Sequence, residues 1–302
     1  MKTLTLFLFL CFCHTLSAQD FEGLKKINGT WLYVKIIGKG EPLLIVHGGP
    51  GMNHSYFLPH LEKLAKKFRI VFYDQRASGK SVIPSTDSLS LKFFVDDIEA
   101  IRQMLGVEKI NILGHSWGVI LAVNYGISYP DKVKSMILCN PVPLSHEFDT
   151  EMANNQNKKA TGKDSTDRSI IMGSRDFKSA NAESYRKILM LSFRNSFYKP
   201  SNYSKLNFDM PADYVAASKA LYTGLGKDLG QYNFYESVKS FSFPVLVIQG
   251  EVDAIPLAAS TRTSHSIPKA SLVIFKKSGH FVFIEEPGKF TSIVTRFIKR
   301  VK

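Results

Sequence analysis

Glycine stands two residues to either side of a serine in Gly114-His115-Ser116-Trp117-Gly118. Before it lies a short β-rich apolar run, Lys109–Leu113, and after it an apolar stretch, Trp117–Tyr129, that suits a buried helix. A strand that becomes a helix within so few residues forces the central residue to positive φ. The flanking glycines then remove the Cβ atoms that would strike neighbouring backbone. This strand–turn–helix, the nucleophile elbow, belongs to parallel sheets whose strands are each followed by a helix.

The surrounding chain keeps that rhythm. Trp31–Ile37 and Pro42–Val46 read as strands divided by Gly38, Gly40 and Glu41, and Arg69–Tyr73 is another short β-rich run. Leu91–Leu105 carries apolar residues at Phe94, Val95, Ile98, Ile101, Met104 and Leu105, a helical spacing ended by Gly106. Val133–Cys139 follows as a strand, and Cys139 within it reads as a buried structural thiol. The alternation stops near Pro141 and Pro143. Residues 142–240 are more polar, hold seven of the twelve tyrosines, and offer helical fragments at Ala182–Asn195 and Ala212–Tyr222. It resumes with Pro244–Ile248, a helix after Pro256, the strand Ser271–Phe275 and a final helix Pro287–Val301. The expected class is α/β: a mostly parallel sheet covered on both faces, built from residues 19–141 and 241–302. Residues 142–240 form a cap inserted over the sheet's C-terminal edge, where open α/β sheets bind ligands.

Residues 1–18 stand apart. A cationic start, Met1-Lys2-Thr3, precedes an apolar run from Leu4 to Cys13 and a small, polar stretch ending at Ala18. That layout predicts a secretory signal peptide cleaved after Ala18, and so an exported, periplasmic or secreted protein with no stable membrane insertion. Cleavage removes two of the three cysteines. The apolar run is about half the roughly 20 residues a membrane span requires. The net charge of +13 is spread without a run of five basic residues, and nothing points to nucleic acid as a partner. Neither Cys-x-x-Cys nor His-Glu-x-x-His spacing occurs, and no metal or cofactor is implied. Gly79-Lys80-Ser81 imitates the end of a phosphate-binding loop, but Asp74 stands where the first glycine of that loop is needed.

A serine hydroxyl is a poor nucleophile at neutral pH and needs a base held in place by an acid. In this architecture the order along the chain is serine, acid, histidine. His280, in Ser278-Gly279-His280 just after the last strand, is at the correct edge for the base. Asp253, in Gln249-Gly250-Glu251-Val252-Asp253 after Pro244–Ile248, is the acid; Glu251 comes too early in the loop, and Asn140, at the other usual acid position, carries no charge. The oxyanion formed on attack needs two backbone N–H groups. Trp117, following the serine, supplies one. Gly49, in the loop His47-Gly48-Gly49-Pro50-Gly51, supplies the other, with Gly48 and Pro50 shaping the substrate's approach.

That loop, Asp74-Gln75-Arg76 with Ser78-Gly79-Lys80-Ser81, the elbow, Asp253 and His280 together resemble the proline iminopeptidase branch of the α/β-hydrolases. The resemblance covers about residues 25–140 and 240–300. It implies an α/β-hydrolase core with a helical cap, a Ser116–His280–Asp253 triad, an oxyanion hole at Gly49 and Trp117, and no cofactor. It also implies cap acids that bind a substrate's free α-amino group, for which Glu147 and Glu236 are available. Ala77 departs from the family, replacing the glycine usual after Asp-Gln-Arg. So does the cap, which lacks the family's tryptophans: Trp31 and Trp117 both lie outside it. The expected activity is aminopeptidase cleavage of short peptides. Hydrolysis of small acyl esters is the alternative, and a non-catalytic binding protein a minor one.

Overall fold

The computed structural model describes residues 20–301, and the leader expected at residues 1–18 lies outside them. Eight strands form one sheet: β1 (Phe21–Ile27), β2 (Thr30–Ile37), β3 (Pro42–Val46), β4 (Arg69–Tyr73), β5 (Ile110–His115), β6 (Val133–Cys139), β7 (Val245–Gly250) and β8 (Ala270–Phe275). Their spatial order is β1-β2-β4-β3-β5-β6-β7-β8, antiparallel where β2 meets β1 and β4 and parallel elsewhere. β1 is an addition to the sequence reading. It pairs with β2 through a tight turn at Asn28 and Gly29, both at positive φ, the geometry that matches strand twist in a hairpin.

Alternate residues of the central strands serve opposite faces. Ile112, Leu138 and Val247 meet α1 (Leu91–Met104) and α2 (Gly118–Ser128), whereas their neighbours Leu113, Ile137 and Ile248 point to the other layer. Both faces are therefore buried, as a parallel sheet requires.

Between β6 and β7 the chain leaves the sheet and forms α3 (Asp149–Lys159), α4 (Gly162–Gly173), α5 (Arg175–Lys178), α6 (Ala182–Phe193) and α7 (Tyr214–Leu225). The chain then returns through α8 (Leu257–Ser266), α9 (Val282–Glu285) and α10 (Pro287–Arg300); Phe290, Val294 and Ile298 of α10 fill the second layer. No helix among the described residues is long and apolar enough to cross a membrane.

The inserted helices are tied to the loops at the sheet's C-terminal edge. The Glu285 carboxylate accepts from Gly279 N–H at 2.7 Å and, at 3.0 Å each, from the N–H groups of Tyr198 and Lys199 and the Asn202 amide. From α3, the Asn155 amide donates to the Ala254 carbonyl at 3.2 Å, and the Lys159 ammonium donates to the Val252 carbonyl.

Backbone packs closely against backbone at the elbow. A Cβ on Gly118 would lie 2.2 Å from the Val46 carbonyl oxygen of β3, and one on Gly114 would lie 2.7 Å from the Gly118 oxygen. Gly118→Ala should destabilise the fold by roughly 1–3 kcal/mol or more. Gly162→Ala, with no atom within 4 Å of the added carbon, should be neutral or slightly stabilising. Urea unfolding of the two variants measures the contrast, and equal stability would contradict the packing described.

Candidate active site

Ser116 directly follows β5 at φ +55°, and its N–H donates to the Cys139 carbonyl of β6 at 3.0 Å. The hydroxyl is thereby presented above the sheet edge, into a cavity of about 550 Å³ shared with Gly48, Gly49, Asp253 and His280. Gly48 sits directly against the serine: a Cβ there would come 3.2 Å from the Ser116 Cβ.

The imidazole of His280 donates from Nδ1 to Asp253 Oδ2 at 2.8 Å. The same carboxylate accepts from the Asn140 amide at 2.7 Å and, at Oδ1, from the Ile255 N–H at 3.2 Å. Burial alone would push the Asp253 carboxyl up. The facing imidazole and these donors outweigh it and hold the group below its ordinary value, so it is ionised at neutral pH. Asn140 lies just past β6 at φ +46° and also donates to the Gly279 carbonyl at 3.1 Å, bridging the acid to the histidine's loop. Glu251 is exposed and makes no such contact. No hydrogen bond joins the Ser116 hydroxyl to the imidazole, although both line the same cavity.

Two buried histidines hold the glycine loop. His47 donates from Nδ1 to the Gly48 carbonyl at 2.7 Å and accepts the Gln75 N–H at Nε2, at 2.9 Å. The Gln75 side chain closes the link, donating to the His47 carbonyl at 2.7 Å and accepting the Trp117 indole N–H at 3.1 Å. Next along the loop, the Tyr56 hydroxyl accepts the Gly48 N–H at 2.6 Å and donates to Nδ1 of His115 at 2.9 Å. His115 in turn donates from Nε2 to the backbone carbonyl of His280 at 2.9 Å. These partners fix both rings as neutral tautomers, and burial lowers their pKa values to about 4 for His47 and about 3 for His115. The Tyr56–His115 link thus connects the glycine loop to the catalytic-edge histidine. No sequence motif announced it, because the link depends on side chains meeting across the fold.

Asp74-Gln75-Arg76 forms a brace rather than a binding surface. Asp74 Oδ1 accepts from the N–H and ring of His54, at 2.9 and 2.7 Å, while Oδ2 accepts from the Lys80 N–H at 2.9 Å. Arg76 forks onto Asp97 of α1 with two bonds of 2.6 Å. Ala77 adopts φ +51°, so this chain places a methyl-bearing residue in a conformation that favours glycine.

Among the other residues expected at the site, Trp117 is buried at the start of α2, and Gly49, at φ +135°, lines the cavity. Neither backbone N–H donates to an acceptor among the described residues. Pro50 is not part of the cavity lining. The cap acids need correction. Glu147 is paired with Arg262 and Glu236 with Lys239, both at the surface and neither on the cavity, because each found a cation close by. The carboxylate that does reach the cavity from the cap is Asp164. Among the described residues no three His, Cys, Asp or Glu side chains converge as a metal-binding set.

Residues 41–287 match the family model described as the alpha/beta hydrolase fold. A proline iminopeptidase of Heyndrickxia coagulans is 30% identical over 272 residues, covering 87% of this chain and 92% of that protein. The crystal structure of a Mycobacterium smegmatis proline iminopeptidase superposes with a TM-score of 0.68 at 22% identity, covering 93% of this chain and 98% of that one. A thermophilic esterase from Thermogutta terrifontis superposes at 0.65 with 22% identity, covering 94% and 99%. The chain belongs to the α/β-hydrolase superfamily and, within it, to the proline iminopeptidase-like branch.

The buried neutral histidines set a pH dependence. An unfolded imidazole binds a proton near pH 6.5, while His47 and His115 resist one until about 4 and 3. Between those values the unfolded chain binds more protons, so stability is lost as pH falls below about 6.5, by about 1.4 kcal/mol per unit for each ring. Urea unfolding at pH 7 and pH 5 should show a drop for the wild type that exceeds that of His115→Asn by roughly 2 kcal/mol. Equal drops would mean the ring is not held neutral.

Proposed function

We propose that the protein is a serine hydrolase that passes an acyl group to water through an acyl-enzyme on Ser116. The observation that carries this is the 2.8 Å bond from His280 to Asp253, on a cavity shared with a serine held at positive φ. In the reaction, Oγ of Ser116 attacks the substrate carbonyl carbon while Nε2 of His280 takes its proton. The tetrahedral oxyanion is met by the N–H groups of Gly49 and Trp117, the latter at a helix N-terminus whose dipole favours negative charge. His280 returns the proton to the departing amine or alcohol, leaving the acyl ester. Water, deprotonated by His280, then releases the acid and restores the serine. Asp253 keeps the imidazole in the required tautomer and balances the imidazolium.

Similarity to curated proline iminopeptidases supports a short peptide with a free N-terminal residue, proline among them, as the substrate. One observation favours a second reading, hydrolysis of small acyl esters: Glu147 and Glu236 are engaged elsewhere, which leaves an α-ammonium without the expected partners. The composition of residues 1–18 supports export, with the mature chain beginning after Ala18.

A fluorophosphonate should label the wild type and fail to label Ser116→Ala; labelling of both would remove the serine from its role. Asp253→Asn should lower kcat by roughly four orders of magnitude through the wrong tautomer, with the fold intact. Full activity in that variant would reassign the acid. Turnover of a proline arylamide, abolished by blocking its amine, separates the peptidase from the esterase reading.

A further inference from the structure

The cavity wall opposite Ser116 is built by the cap, and its charges are unevenly committed. Three charged side chains reach the cavity from α3 and α4: Lys159, Asp164 and Arg168. Asp164 has the sign to hold an ammonium group, yet both of its oxygens are occupied. Oδ2 accepts from the N–H and hydroxyl of Thr161, at 2.8 and 2.6 Å, and from the Asn195 amide at 2.8 Å. Oδ1 accepts from the Arg194 guanidinium at 2.9 Å. The Thr161 contacts form the capping box that starts α4, so the carboxylate is fixed by the helix it caps and neutralised by Arg194. The neighbouring Asp167 is shared between Arg194 and Lys163.

The two cations have no such match. Lys159 donates to the Val252 carbonyl and Arg168 donates to the Ser192 hydroxyl at 3.0 Å, both neutral acceptors. Neither forms a salt bridge with a described residue, and both are half-buried. An ammonium has three donors and a guanidinium five, and each of these two side chains, both lining the cavity, spends one donor group on a described residue. Across the cavity, the Asp253 charge is committed to His280 and Asn140. A free α-ammonium entering here meets two like charges on the cap wall. An anion meets two partly desolvated cations, where charge-assisted bonds are strongest.

We propose that the cap selects substrates bearing a carboxylate, held by Lys159 and Arg168 while Ser116 attacks the neighbouring carbonyl. This rests on the acyl-transfer reading above and names the substrate class for it. The carboxylate has two possible origins, the C-terminus of a dipeptide whose second residue leaves, or a free acid on the acyl side of a half-ester. Burial also holds the Lys159 ammonium below its ordinary pKa, against the pull of Asp253 and Glu285. An incoming anion would favour its charged form.

The test compares kcat/KM within two matched pairs on the full mature protein. One pair is prolylalanine and prolylalanine amide; the other is the p-nitrophenyl half-ester of succinic acid and p-nitrophenyl butyrate. At least one free acid should be preferred over its neutral partner by on the order of tenfold for each charged contact made, and the pair that responds identifies the origin. The preference should collapse towards one in the double variant Lys159→Ala, Arg168→Ala, persist in part in Arg168→Lys, and shrink with added salt. Glutarate should slow fluorophosphonate labelling of the wild type while glutaramide does not, a binding readout that needs neither variant nor turnover. Labelling without protection by glutarate, a ratio of one in both pairs, or a ratio unmoved in a folded double variant overturns the carboxylate proposal and leaves the hydrolase intact. Absence of both labelling and turnover overturns the acyl-transfer reading, and the carboxylate proposal with it.

Discussion

Backbone touching backbone at the turn after β5 is the constraint on which the rest of the site depends. The first residue of α2 rests against the Val46 carbonyl that ends β3 and the His47 carbonyl just after it, an approach a side chain would forbid. That contact lets the helix begin at once and leaves Ser116 at positive φ. Ser116, the helix dipole and the glycine loop are thus brought together by one steric requirement. Strain stored in a single residue is tolerated because β3 and β6 hold its neighbours on both sides.

Around that point the polar interior works as a set of braces. Asp74, Gln75 and Arg76 each face a different element: the His54 turn, the glycine loop with Trp117, and α1. Tyr56 and His115 extend the support to the backbone of His280. Full satisfaction of buried donors and acceptors makes such a network rigid, and the neutral tautomers follow from the partners available. The left-handed Ala77 is the exception, a local cost accepted within an otherwise consistent loop.

Legibility in the sequence followed burial. Strands β2 to β8 are readable because β-rich apolar runs bounded by turn residues leave few alternatives, and Ser116, Asp253 and His280 are readable because each lies within a few residues of the end of such a run. β1 escaped because it lies at the sheet's edge, half exposed, although Asn28-Gly29 was a hairpin signal. The cap was read only in part. Its α6 and α7 carry buried apolar residues, whereas α3 has none and α4 buries only Asp164, so no helical periodicity marks them. Asn140 is an absent charge in the sequence, and in the structure its amide steadies the carboxylate that is present. Sign alone recommends Glu147 and Glu236, and it says nothing of the cation beside each one.

The ties between the insertion and the sheet's loops change what kind of part the insertion is. The His280 N–H donates to the Ser196 carbonyl at 2.8 Å, and a Cβ on Gly279 would strike that same oxygen. Part of the imidazole's scaffolding is therefore contributed by the segment that also lines the cavity. Exchanging that segment wholesale between relatives would move His280 together with the cavity wall, so chimeras of this architecture carry both over as one unit.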